Sequence, residues 1–151
     1  MEKRNLDYRV DAKGHFNKME GRVLFSSFAL TIERNGEHVA DVQMRHYTKP
    51  ADFYSPFFIH VMKRGEGIGR DIVMNINDFL RERNAIGVLQ DIIESDDDNV
   101  REAYGMYDRH GWKPLFPELE GDAMRGSYRF FSESLESQEL EDLRNAIKTI
   151  P

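Results

Sequence analysis

Near the middle of the chain lies the stretch Phe57-Phe58-Ile59-His60-Val61-Met62-Lys63-Arg64-Gly65-Glu66-Gly67-Ile68-Gly69-Arg70. Its first five residues are a short, mostly apolar run that predicts a central strand. A glycine-rich loop follows, and beyond it apolar residues recur at the spacing of an amphipathic helix over about 68–84. The apolar stripe of that helix is Ile72, Ile76, Phe79 and Leu80, and the residues expected elsewhere around it are Arg70, Asp71, Asn77, Asp78 and Arg81.

The loop between this strand and this helix has the chemistry of an anion site. Glycines let the backbone turn tightly and approach a ligand closely. The first N–H groups of a helix have no internal partner, and with the helix dipole they suit a pyrophosphate. Arg64 or Arg70 could add positive charge. The alternative interpretation is a plain strand-to-helix turn that needs positive φ.

Two other phosphate-binding loops do not fit. A Walker loop needs Lys followed by Ser or Thr after its last glycine, and here Arg70-Asp71 follows. A dinucleotide fingerprint needs a third glycine at position 70, which is arginine.

The flanking segments predict a sheet with helices. Alternating residues over Val23–Glu33 and again over about 38–47 predict two strands, and Asn35-Gly36 between them is a strong hairpin signal. After the helix we expect a strand over 86–94, a helix that starts near 95–99 and ends at Gly111, and strands near 112–115 and 125–131. A last helix is expected over 137–150, and residues 1–21 are expected to form a loosely ordered polar arm, with room for a short strand or helix. The order predicts one α/β (α+β) domain over 1–151, with a mixed sheet and helices packed on its faces.

Composition excludes several classes of function. The chain has 151 residues, a net charge of −6 and no cysteine, so disulfides, zinc–thiolate sites and thiol nucleophiles are excluded. No basic cluster with interleaved aromatics suggests nucleic acid, and the acidic balance mildly favours a cationic substrate such as an amine. No signal peptide and no stretch long enough to span a membrane is evident, so we expect a cytoplasmic protein. The histidines lack ligand spacing, and no metal is expected.

Two blocks of this chain resemble the GNAT acyltransferase superfamily. The first is Ile59 to Gly69, which looks like that family's strand, pyrophosphate loop and helix start. The second is similar to its downstream helix through Ala103, Tyr107, Gly111 and Trp112, with Asn99 one residue further upstream than usual. The resemblance implies a mixed, mostly antiparallel sheet with a splayed central strand pair. It also implies that the N-terminal helical region is reduced and that the C-terminal helix is an addition.

The resemblance implies acetyl-CoA as co-substrate and an amine as acceptor. Backbone groups of Ile59 and Val61 would pair with the pantetheine arm as a strand would. The pyrophosphate would lie on the loop, and Asn99 would bond the pantetheine arm unless it only caps its helix. The implied cofactor residues are Ile59, Val61, Arg64, Gly65, Glu66, Gly67, Ile68, Gly69, Arg70 and Asn99.

The resemblance also implies catalytic roles. Tyr107 would hydrogen-bond or protonate the leaving thiolate, although the same position suits a core tyrosine, and Tyr104 lies on nearly the same helical face. Glu94 is the first candidate for the base that removes the proton from the amine, and His60 is the second. Asp91 and Glu33 stay open as further candidates.

The sequence therefore predicts an N-acetyltransferase that acts on a primary amine of a small molecule or a protein by direct transfer. A second copy of the chain could complete the acceptor site, as a homodimer. The alternatives are a non-catalytic acyl-CoA-binding module and a protein-interaction domain with the same fold.

Overall fold

The computed structural model describes residues 6–20, 23–62, 67–90, 105–119 and 128–149. Within these residues the chain builds seven strands, three helical segments and a short 3-10 turn, Pro117–Leu119. The strands are β1 (Leu6–Glu20), β2 (Val23–Arg34), β3 (Glu37–Lys49), β4 (Phe53–Val61), β5 (Gly87–Leu89), β6 (Lys113–Pro114) and β7 (Arg129–Phe131). The helices are α1 (Ile68–Glu82), α2, described over 105–109, and α3 (Ser137–Lys148).

The first four strands form an antiparallel meander. Asn35 and Gly36 connect β2 to β3 with φ angles of 53° and 79°, which confirms the predicted hairpin turn. β3 then pairs with β4 from Tyr47↔Phe53 to Ala40↔Val61. The predicted strand over 57–61 therefore begins four residues earlier, at Phe53.

The N-terminal segment differs from the loosely ordered arm that we predicted. Residues Leu6–Glu20 form a 15-residue strand, in which residues 6–11 and 16–20 pair with β2 on either side of an irregularity between Asp11 and Phe16. The signal for this strand is present in the sequence: Leu6-Asp7-Tyr8-Arg9-Val10-Asp11 alternates apolar and polar residues with period two. The high charge of the segment obscures that alternation.

The second half of the chain completes the sheet in the order β1-β2-β3-β4-β5-β7-β6. β5 is parallel to β4, and β7 is inserted between β5 and β6 with both of its pairings antiparallel. The sheet is therefore mixed and mostly antiparallel, as predicted. No helix in the described residues is long and apolar enough to cross a membrane.

Helices cover both faces of the sheet. The stripe of α1 packs on one face, against the even-numbered core residues of β2 and β3. Leu143 and Ile147 of α3 pack on the opposite face, where they join Phe25, Tyr47 and Phe53. Adjacent residues of β5 show the alternation directly, because Val88 belongs to the α3 cluster and Leu89 to the α1 cluster.

Asn77 of α1 is buried, contrary to the prediction that it lies outside the apolar stripe. Asn77 is 2% exposed. Its side-chain oxygen accepts a hydrogen bond from Trp112 Nε1 at 2.7 Å, and its Nδ2 donates to the His110 carbonyl at 2.8 Å. The Asn77 amide thus satisfies the Trp112 N–H and the His110 carbonyl, which follow α2 in the chain, and links that segment to α1.

Gly87 has no room for a side chain. A Cβ at this position would lie 2.6 Å from Leu80 Cδ1 and 2.7 Å from Trp112 Cη2. We expect Gly87→Ala to lower the free energy of unfolding by about 1–3 kcal/mol, because α1 or the indole must shift. Urea unfolding would measure this. The matched control is Gly105→Ala, whose Cβ meets only the flexible end of Arg109 at 3.3 Å and should be neutral or mildly stabilising. Equal destabilisation by both variants would contradict the packing argument.

Candidate functional site

β4 and β5 separate almost as soon as they meet. Their register contains one pair, Tyr54↔Gly87, with a hydrogen bond from the Tyr54 N–H to the Ile86 carbonyl at 2.8 Å. Two residues later, alternation directs the backbone nitrogen of Pro56 to the same side, where proline has no N–H to donate. Phe57 is then an extra residue in β4, since Met44 pairs with Pro56 and Gln43 with Phe58. A proline followed by a bulge ends the pairing with β5 while the pairing with β3 continues.

Beyond the bulge, the edge of β4 that faces away from β3 has no backbone partner among the described residues, and we call it the open edge. Met62 donates its N–H to the Val39 carbonyl at 2.9 Å, so Met62 faces β3. Because alternate residues of an antiparallel strand face opposite neighbours, His60 also faces β3, whereas Ile59 and Val61 direct their N–H and C=O groups away from it. These are the two residues for which the sequence predicted edge hydrogen bonds to a ligand.

The open edge leads toward the N-terminus of α1. Gly67 is the N-cap residue, with φ 79° and ψ 8°, a left-handed conformation that favours glycine. No side chain caps the helix at this residue. Within the described part of the chain, the first N–H groups of α1 thus lack a capping side chain. Ile68 is buried in the core, which fixes the direction of the helix, while Gly69 and Arg70 are exposed.

The charge around this helix end is positive. Asp71 lies in the first turn, but its carboxylate is paired with Arg34 at 2.5 Å and approaches Arg70 at 3.4 Å. Burial lowers the pKa of His110 below its usual range, and the guanidinium groups of Arg70 and then Arg109 lower it further. Arg70 and Arg109 thus act on the same region. An anion bound there would offset their charge and raise the pKa of His110.

Tyr107 lies in the core. It is 3% exposed, belongs to the α1 cluster and packs edge-on against Trp112 with ring centroids 5.1 Å apart. This environment is the one expected for a packing residue, and its proposed role as general acid stays a prediction. Gly111, with φ 92°, follows the end of α2 as the sequence predicted.

Five of the predicted site residues lie outside the described residues: Arg64, Gly65 and Glu66 of the loop, Glu94, and Asn99. Their assignments stay predictions. Ile59, Val61, Gly67, Ile68, Gly69 and Arg70 are brought together at one end of the sheet.

Phe57 and Phe58, next to the open edge, were not singled out from the sequence as site residues. Ala40 and Val42 belong to the α1 cluster, so their cross-strand partners Val61 and Ile59 face α1. Phe58 and His60 therefore face the side of α3, beyond the area that α3 covers. Phe57 and Phe58 are 46% and 58% exposed, and His60 is also exposed. In the sequence, Phe57 and Phe58 lie inside an apolar run, and such a run predicts burial in the core. Their exposure was therefore not expected.

A cavity of about 380 Å³ lies at the other end of α1, lined by His46, Asp52, Tyr54, Arg83, Asn84, Ala85 and Ile86. The His46 ring stacks on Tyr54 at 4.1 Å, and burial raises the pKa of the Tyr54 hydroxyl, with Arg83 opposing the rise. The 15 residues of α1 separate this cavity from Gly67 by about 22 Å. The cavity is therefore distinct from the open edge of β4.

No model of a known protein family matches this chain, and no curated protein matches it significantly in sequence.

The direction of the backbone groups of β4 can be tested with proline. We expect Val61→Pro to change the free energy of unfolding by less than about 1 kcal/mol, because the N–H it removes faces the open edge. Met62→Pro, the matched control one residue away, removes the bond to the buried Val39 carbonyl and should cost about 1–3 kcal/mol. Urea unfolding of both variants measures the difference. A larger loss for Val61→Pro would mean that β4 has no open edge here.

Proposed function

We propose that this protein is an acetyl-CoA-dependent N-acetyltransferase of the GNAT type that acts on a primary amine. The observation that carries the proposal is the run of two elements, the open edge of β4 up to Met62 and then the N-terminus of α1 at Gly67, which has no side-chain cap in the described residues. An extended arm that ends in a pyrophosphate fits this run, because strand-like hydrogen bonds and a helix N-terminus follow one another in the same order.

The separation of β4 from β5 supports the proposal. In the described residues the parallel strands β4 and β5 share one pair, and such a separation offers a gap with hydrogen-bonding groups on its wall. Acetyl-CoA would supply the acetyl group as a thioester. The lone pair of the amine would attack the carbonyl carbon of this thioester, and the carbon–sulfur bond would break. The amine proton would pass to a base.

The residues of the chain would bind, orient and move protons. Ile59 and Val61 would hold the arm, and α1 with Arg70 would hold the pyrophosphate charge. His60 is exposed on β4 and faces the side opposite α1, from which an acceptor amine could approach. It joins Glu94 as the candidate base. Tyr107 is the candidate acid toward the leaving sulfur.

The proposal predicts that acetyl-CoA binding depends on Gly67. We expect the wild type to bind acetyl-CoA in the micromolar range and Gly67→Arg to lose at least tenfold in affinity, measured by calorimetric titration. The left-handed φ makes any side chain at Gly67 strained, so the control must carry the same strain. Gly36→Arg provides it: Gly36 also has φ 79°, lies in the β2–β3 turn and has open space around it.

The Gly36→Arg variant should bind acetyl-CoA like the wild type. Equal loss in the two variants would indicate a general effect of strain. If the folded wild type does not bind acetyl-CoA, the proposal is wrong.

A second candidate is a non-catalytic acyl-CoA-binding module, and the deep burial of Tyr107 favours it. Tyr107→Phe separates the two. If the protein is an enzyme that uses Tyr107, the variant keeps acetyl-CoA affinity and loses about a hundredfold or more in turnover, since a general acid contributes about that much. Release of free thiol from acetyl-CoA with a panel of amines measures turnover. An active wild type whose turnover is unchanged by Tyr107→Phe would remove Tyr107 from the mechanism.

A further inference from the structure

Arg45 of β3 occupies an unusual position beside the open edge. Its guanidinium carbon lies 4.8 Å from the centroid of the Phe25 ring and 4.5 Å from that of the Phe57 ring. The cation is thus held between an aromatic residue of β2 and one of β4. The two cation–π contacts hold the guanidinium through the faces of its plane. They do not use its N–H groups, which point outward within that plane.

The hydrogen-bonding capacity of Arg45 is largely unused. Nη1 reaches the Tyr47 hydroxyl at 3.4 Å, a long contact, and Nε is buried without a partner. No carboxylate of the described residues pairs with Arg45, although the chain has an excess of acidic residues. Guanidinium groups in such a setting normally hold a carboxylate in a bidentate pair. The buried Nε of this half-buried cation has no partner, which requires an explanation, and a bound ligand provides one.

Arg45 lies within reach of the open edge. It pairs with Ser55, and Val42, the partner of Ile59, is three residues away along β3, which is about 10 Å. Arg45 faces the same side of the sheet as Phe58 and His60, because Ala40, Val42 and Met44 face α1. The exposed rings of Phe57 and Phe58 lie between the arginine and the edge and offer apolar walls.

We infer that Arg45 binds a carboxylate of the acceptor, so that the acceptor is an amine that also carries a carboxylate group several bonds away. Arg45 would anchor one end of this molecule, the two phenylalanines would cover its apolar middle, and its amine would reach the edge near His60. The carboxylate site rests on the contacts of Arg45 alone. Its assignment to the acceptor rests on the proposed function.

The site can be tested without knowledge of the acceptor. Phenylacetate and phenylacetamide have the same shape and differ in charge. We expect phenylacetate to bind the wild type at least tenfold more tightly, and the ring signals of Phe57 and Phe58 to shift during an NMR titration. Equal affinities, or shifts confined to other residues, would overturn the inference and leave Arg45 as a structural bridge between β2 and β4.

Two variants locate the charge. Arg45→Met keeps an apolar stem and should abolish the preference for phenylacetate. Arg45→Lys keeps the charge but loses the planar fork, and should retain a smaller preference. Urea unfolding checks that each variant is folded. If Arg45→Met does not fold, the comparison of phenylacetate with phenylacetamide on the wild type tests the inference. A preference that persists in folded Arg45→Met would also overturn the inference.

An acetyl-transfer assay separates this inference from the proposed function. With acetyl-CoA, 6-aminohexanoate should exceed hexylamine in kcat/KM by about tenfold to a hundredfold, and Arg45→Met should remove that ratio while acetyl-CoA affinity is unchanged. Equal kcat/KM for the two amines would refute the acceptor assignment. If the wild type binds phenylacetate at Phe57 and Phe58 but does not bind acetyl-CoA, the carboxylate site stands and the proposed function fails.

Discussion

The rest of this structure depends on a break in one hydrogen-bond ladder. At Pro56 the strand β4 has no N–H to offer β5, and at Phe57 an extra residue reverses which alternate groups face outward. The pairing with β3 absorbs the extra residue and continues to Val61. Among the described residues, β4 is therefore paired with β3 on one side up to Val61, while its other side has no partner beyond Tyr54. A regular strand here would pair on both sides and leave no groups for a ligand.

The helices and charges of the protein are arranged around that open edge. α1 begins close to where β4 ends, and the Arg34–Asp71 pair neutralises the carboxylate nearest to its first turn. On the opposite face, α3 covers the sheet over Phe53 and Val88 but leaves Phe57 and Phe58 exposed. In residues 6–20 and 23–62 every element is a strand, so no described helix from the N-terminal part of the chain covers these rings. That exposure is the physical basis for an acceptor that approaches from the side of α3.

Much of the fold could be predicted from periodicity and turn chemistry. Asn35-Gly36, the stripe of α1 and the terminator at Gly111 are local signals, and the structure agrees with them. The failures have physical causes. The alternation over Leu6–Glu20 was obscured by charge, and the burial of Asn77 depends on two partners about 35 residues away in sequence, which no local pattern contains.

The candidate site was predictable in part. Ile59, Val61 and the start of α1 follow from a strand, a glycine-rich loop and a helix in succession. The bulge that makes Ile59 and Val61 available depends on the register with β3, which the sequence does not specify. Arg45 was not predictable, because its isolation from carboxylates is a property of three neighbouring strands and not of its own segment.

The buried indole near the centre of the α1 face gives the molecule an internal optical label. Trp112 is the single tryptophan of the chain, and it contacts Asn77 of α1, Tyr107 of α2 and Phe131 of β7, with Gly87 of β5 against its ring. Its fluorescence therefore reports on the junction of the four elements α1, α2, β5 and β7. Because β1 and α3 lie outside these contacts, either could detach with the emission spectrum nearly unchanged, whereas loosening of α1 from the sheet would alter it at once.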